Sequence, residues 1–160
     1  MLRGKKPEYK PQRFKAFFYG KAKAGKTWAA IHFPAPYIID SEGGMNQKEY
    51  IDIINSRQGS TFETDDFDEV YQEIKTLMST EHQFKTLVID SLTVIYNSLC
   101  AKCAQILSKN GKDGTEFGRN KAIANQLMGK LMLLLFRIDM NVIIKKKKKN
   151  EYTGSAEVVG

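Results

Sequence analysis

The chain has 160 residues, 42% hydrophobic and 27% charged, enough apolar material for one globular core. Its formal net charge of +7 and sequence pI of about 9.3 favour polyanionic partners, nucleotide or nucleic acid. No stretch approaches about 18 consecutive apolar residues, and the basic, polar segment Met1–Lys15 lacks the apolar core of a signal peptide. No transmembrane helix is therefore expected, and the cytoplasm is the expected location.

Residues 1–13, with lysines, arginines and two prolines, read as a basic N-terminal arm. The apolar run Phe14–Tyr19 then reads as a buried strand. It leads into Gly20-Lys21-Ala22-Lys23-Ala24-Gly25-Lys26-Thr27, which matches the phosphate-binding loop pattern G-x-x-x-x-G-K-[ST] at every fixed position. The chemistry explains the pattern. Glycines let the backbone wrap closely around a polyphosphate, and the loop N–H groups turn inward to its oxygens. Lys26 would reach the β- and γ-phosphates, and the Thr27 hydroxyl would hold Mg²⁺. A short helix follows, up to Pro34, so the candidate nucleotide-binding segment runs from Gly20 through Trp28. The competing reading is a lysine-rich surface turn.

The second strand, Tyr37–Asp40, ends in Asp40-Ser41-Glu42-Gly43-Gly44. Asp40 and Glu42 are two apart and project to the same side of an extended chain. Glu42, just past the strand end, is the candidate general base or water-positioning group. A turn or capping role before the helix at Gln47–Ile54 is the alternative. Ser60–Thr64 is a weaker strand. Phe67, Val70, Tyr71, Ile74, Leu77 and Met78 recur at helical spacing, with Asp66 and Glu69 as a capping pair at the start. Phe84–Asp90 is another apolar strand, and Asp90 puts a carboxylate at its carboxyl end. That is a Walker B pattern, in which the aspartate holds Mg²⁺, usually through a water. A strand-end turn aspartate is the plain alternative.

Leu92, Ile95, Leu99, Cys103 and Ile106 form a second helical stripe. Cys100 and Cys103 lie within it and read as reduced thiols on a packed helix. The polar stretch Ser108–Thr115 is a loop to a third helix, marked by Ile123, Leu127, Leu131, Leu134 and Ile138. The last strand, Met140–Ile144, runs into five lysines, Lys145, Lys146, Lys147, Lys148 and Lys149. Three readings of that run stand side by side: a solvated segment, a DNA-contacting loop, or a lysine reaching a neighbouring subunit's γ-phosphate. Alternating strands and helices predict an α/β domain with a mainly parallel sheet, core 14–144, followed by the lysine run and a short tail, 145–160.

The phosphate loop, the strand ending Ile-Ile-Asp-Ser-Glu-Gly-Gly, and Leu-Val-Ile-Asp-Ser-Leu-Thr together resemble the RecA-like P-loop ATPases. The stretch Tyr19–Gly44 is similar to phage-encoded nucleotide-binding proteins linked to single-strand annealing. The resemblance implies ATP and Mg²⁺ as cofactors, phosphate and metal binding by Lys26 and Thr27, water activation by Glu42, and metal binding by Asp90. It also implies single-stranded DNA as a partner, assembly into rings or filaments, and the host cytoplasm as location. Two features depart from the pattern. The lysine run stands where the family has a polar γ-phosphate sensor such as Gln, Thr or His. The chain also ends at Gly160, where family members continue with further strands, so a truncated or minimal core is expected. Two other classes stay open. One is a MinD/ParA-type ATPase, on the strength of Lys21, although Lys23 replaces a glycine of that motif. The other is a nucleotide-binding module without turnover.

Overall fold

Runs of β-branched and aromatic residues with no polar alternation, such as Tyr37-Ile38-Ile39 and Leu87-Val88-Ile89, suit strands covered on both faces. In the computed structural model, which describes residues 1–109, 111 and 113–147, they form the middle of a parallel sheet. The strands are β1 (Lys15–Gly20), β2 (Pro36–Asp40), β3 (Ser60–Glu63), β4 (Thr86–Asp90) and β5 (Asn141–Lys147), in the order β1-β5-β4-β2-β3. Every pairing is parallel, with Phe17 opposite Ile144, Ile89 opposite Ile144 and Ile39 opposite Ile89. Parallel strands need crossovers, and helices supply them: α1 (Lys26–Ile31), α2 (Lys48–Ser56), α3 (Phe67–Ser79), α4 (Leu92–Lys109) and α5 (Arg119–Arg137).

Strand alternation divides the core in two. Ile38, Val88 and Ile143 face Ala30 and Ile31 of α1 and Ile54 of α2. Ile39, Leu87, Ile89, Val142 and Ile144 face the apolar stripes of α3, α4 and α5. The result is an α/β architecture with a five-stranded, all-parallel sheet between two helical layers. All the strands deliver their carboxyl ends to one edge, where ligands of such sheets bind.

β1 departs from expectation. It is an edge strand, and Phe17 and Tyr19 are 53% and 60% exposed, so it is not the buried run that its sequence suggests. Among the described residues only β5 pairs with it, on one side. It is fastened instead by polar contacts. The Lys15 ammonium donates to the carbonyls of Leu135, Ile138 and Met140 at 2.9, 2.7 and 3.0 Å, at the end of α5. Arg13 pairs with Asp139 at 2.8 Å. The remainder of the 1–13 arm has neither helix nor strand and is exposed throughout.

The α3 cap is half the reciprocal pair that the sequence suggests. Asp66 accepts from the N–H groups of Asp68 and Glu69 at 2.9 and 3.1 Å. Glu69 does not reach back to Asp66. The Thr64 hydroxyl already accepts the Asp66 N–H at 3.2 Å and itself donates to the Glu69 carboxylate. Cys100 and Cys103 are free thiols on α4, half-buried and buried respectively. The Ser108–Thr115 stretch connects α4 to α5; Asn110 and Lys112 within it lie outside the described residues, as do Lys148, Lys149 and the tail to Gly160.

Candidate nucleotide-binding site

The turn after β1 carries its glycines where side chains do not fit the backbone. Gly20 has φ 156° and Gly25, immediately before α1, has φ 76°. A Cβ at Gly20 would meet the Lys26 ammonium nitrogen only at ordinary contact distance, 3.9 Å, so backbone conformation and not space is what favours glycine there. Lys26 does fold back, donating to the carbonyls of Gly20, at 2.9 Å, and of Lys21. Lys21, Ala22, Lys23 and Ala24 form the exposed rim of the turn, with Lys23 in the left-handed region at φ 60°. Trp28 opens α1, but its ring packs on His32 and Tyr50 at 4.8 and 6.3 Å.

The carboxyl ends of β2 and β4 come to the same edge. Thr27 Oγ1 donates directly to Asp90 Oδ2 at 2.7 Å, so the two residues that the sequence assigns to one metal are in contact. Asp90 is buried, and its Oδ1 accepts no hydrogen bond of good geometry among the described residues. Its counter-charge is the Lys145 ammonium, 2.5 Å away, which also donates to Thr27 Oγ1 at 2.9 Å. Asp40 spends its carboxylate locally, accepting from the backbone N–H groups of Glu42 at 3.1 Å and Met45 at 2.9 Å. That shapes the turn after β2 and leaves Glu42 as the outward acid. Glu42 Oε1 accepts from the Ser91 hydroxyl at 2.6 Å, and Oε2 pairs with Lys147 at 3.0 Å. Burial pushes the Glu42 carboxyl up, but the Ser91 hydrogen bond and the charges of Lys147 and Lys145 outweigh it and hold the group below its ordinary value.

A family model described as an AAA domain matches residues 12–158, nearly the whole chain. The chain belongs to that family. It is an AAA-type P-loop ATPase-like domain, and its parallel sheet between helices agrees with that assignment. Nucleotide binding follows from the family. No curated protein matches the chain. Among the described residues no helix is long and apolar enough to cross a membrane.

Nucleotide binding by an AAA domain brings a divalent metal into consideration. A hydroxyl and a buried carboxylate are the oxygen donors that a hard cation prefers, so Thr27 and Asp90 suit one chemically. A cationic group, the Lys145 ammonium, already contacts both of them.

The position of Lys145 and Lys147 is what sequence reasoning on this AAA domain missed. β5 continues three residues beyond Ile144. With a period of two, Lys145 and Lys147 share a face with Ile143, the face toward α1 and the phosphate loop. Lys146 takes the opposite face, beside Phe17 and Tyr96. The described part of the run is thus divided by strand geometry: Lys145 and Lys147 pair with the acids of their own chain's site. Alternation gives the signal for this, but only once β5 is known to lie between β1 and β4. Two serines were also missed. Ser91 holds Glu42, and Ser41 Oγ joins the ends of β2 and β4 by donating to Ser91 O at 2.9 Å and accepting from Ser91 N at 2.8 Å.

Proposed function

We propose that this domain binds ATP at Gly20–Thr27, with Trp28 closing the segment, and hydrolyses it in the service of DNA recombination or single-strand annealing, as in the phage-encoded proteins it resembles. The observation that carries the reading is the meeting of Thr27, Asp90 and Glu42 at the sheet edge beside Lys26. Lys26 leaves the carbonyls of Gly20 and Lys21 for the β- and γ-phosphate oxygens. Glu42, held ionised, orients the attacking water and accepts its proton. Thr27 and Asp90 are the residues that would hold Mg²⁺, which would neutralise charge on the phosphate oxygens.

Single-stranded DNA is the proposed partner. The net charge of +7 supports it, and so does a groove of about 670 Å³ in which Lys121, Lys146 and Lys147 surround Phe17 and Tyr96. Phe117, 88% exposed between α4 and α5, adds a free aromatic face for base stacking. Lys148 and Lys149 lie outside the described residues and are proposed as DNA contacts on their charge alone. Resemblance to RecA-like proteins supports assembly into a ring or filament. A second reading, a nucleotide-binding module without turnover, is favoured by the engagement of both Glu42 oxygens with Ser91 and Lys147.

Phosphate release from ATP, measured with and without single-stranded DNA, separates the two. Turnover that DNA accelerates supports the recombination ATPase, and ATP binding with no turnover in either condition supports the module. DNA affinity should fall with salt, with log affinity dropping by about 0.7 per phosphate contact for each decade of salt. No binding to single strands at low salt would remove the DNA partner.

A further inference from the structure

Lys145 stands in the place the oxygen donors define for a metal. It lies one residue past Ile144, which pairs with Phe17 of β1 on one side and Ile89 of β4 on the other. An interior strand therefore sets its Cα opposite Phe18, two residues before the phosphate loop, on one side and beside the end of β4 on the other. Its side chain is only 15% exposed and that of Asp90 only 4%, so their charges are poorly screened by water. The ammonium has three N–H donors; it forms an ion pair with Asp90 Oδ1 and donates one hydrogen bond, to Thr27 Oγ1. Thr27 Oγ1 is itself committed, donating to Asp90 Oδ2 while accepting from Lys145.

We propose that the Lys145 ammonium is a built-in cation that replaces the divalent metal in the binding step, so that the domain takes up a nucleoside triphosphate without free metal. The inference rests on the nucleotide-binding reading above. A polyphosphate entering the Gly20–Thr27 loop approaches the buried Asp90 carboxylate, and like charges at short range in a buried site repel strongly. A metal ion ordinarily stands between such groups. Lys145 already pairs its charge with Asp90 and, with one N–H on Thr27, keeps donor capacity for a phosphate oxygen. Free Mg²⁺ would have to displace a tethered ammonium from a buried carboxylate, which leaves the ammonium without its partner.

The test is binding of a fluorescent ATP analogue to the whole chain in excess EDTA and in millimolar Mg²⁺. The wild-type affinities should agree within about threefold, less than a tenfold step of 1.4 kcal/mol. Lys145→Gln, one atom shorter, keeps hydrogen-bonding capacity but removes the charge; it should lose about tenfold or more in EDTA and recover in Mg²⁺. Lys145→Arg should still bind in EDTA. Circular dichroism confirms that each variant is folded, and the wild-type comparison stands without either of them. Wild-type binding that appears only with Mg²⁺ overturns this inference and leaves the nucleotide reading intact. Equal binding by Lys145→Gln and wild type in EDTA also overturns it. Absence of binding in both conditions overturns both readings.

Discussion

Glu42 is poised between two roles by its neighbours. Ser91 fixes one oxygen and Lys147 the other, and both keep the carboxyl charged. A charged carboxylate can receive a proton from water, but one tied on both sides must first release a contact. Glu42→Gln keeps the shape, keeps an acceptor for Ser91 and removes the base. It should leave ATP affinity near wild type and lower turnover by about 10²–10⁴, measured by phosphate release at saturating ATP. Turnover at the wild-type rate would make Glu42 structural. Asp40 could not readily take its place, because both its oxygens serve the backbone of the turn. At this scale the sequence was informative about Lys26, Thr27, Asp90 and Glu42, since each sits at a fixed motif offset or strand end. It was silent on Ser41 and Ser91, whose hydroxyls matter only because β2 and β4 are neighbours.

Elements were legible where one physical signal dominated. Continuous apolar runs marked β2 and β4, and periodic stripes marked α3, α4 and α5. Strand order was not legible, because nothing local in Met140–Ile144 says that β5 inserts between β1 and β4. Two misreadings share that cause: β1 proved to be an edge, and the lysines of β5 proved to enter the site. The start of α3 gives an element-scale prediction. Asp66 caps two backbone N–H groups and pairs with Lys102 of α4 at 3.2 Å. Asp66→Ala should destabilise the fold by about 1 kcal/mol, the usual loss of an N-cap, seen as a lower midpoint in urea at neutral pH. Burial pushes the Asp66 carboxyl up, but the helix N–H groups and Lys102 outweigh it and hold it below its ordinary value. The wild-type advantage is therefore full above the ordinary aspartate range and is lost as pH falls through the lower native value. A deficit that grew on acidification would contradict this account of the cap.

Across the whole molecule, an all-parallel sheet gathers the phosphate loop, Asp90, Glu42 and two lysines at one edge, while the opposite strand ends carry none of them. The positive excess is distributed by the same geometry. Lys145 is buried against Asp90, Lys147 pairs with Glu42 while also lining the groove, and Lys146 faces that groove with Lys121. The central claim is that this edge holds a triphosphate through the Gly20–Thr27 loop. Isothermal titration of ATP into wild type and Lys26→Ala tests it most directly. Among the described residues Lys26 donates only to two loop carbonyls and belongs to neither core cluster, so its removal should leave the sheet in place. The account predicts measurable ATP binding by the wild type and a loss of about 30-fold or more in the variant, as expected for a charge-assisted contact of roughly 2 kcal/mol. Equal ATP affinity in the two proteins would contradict it.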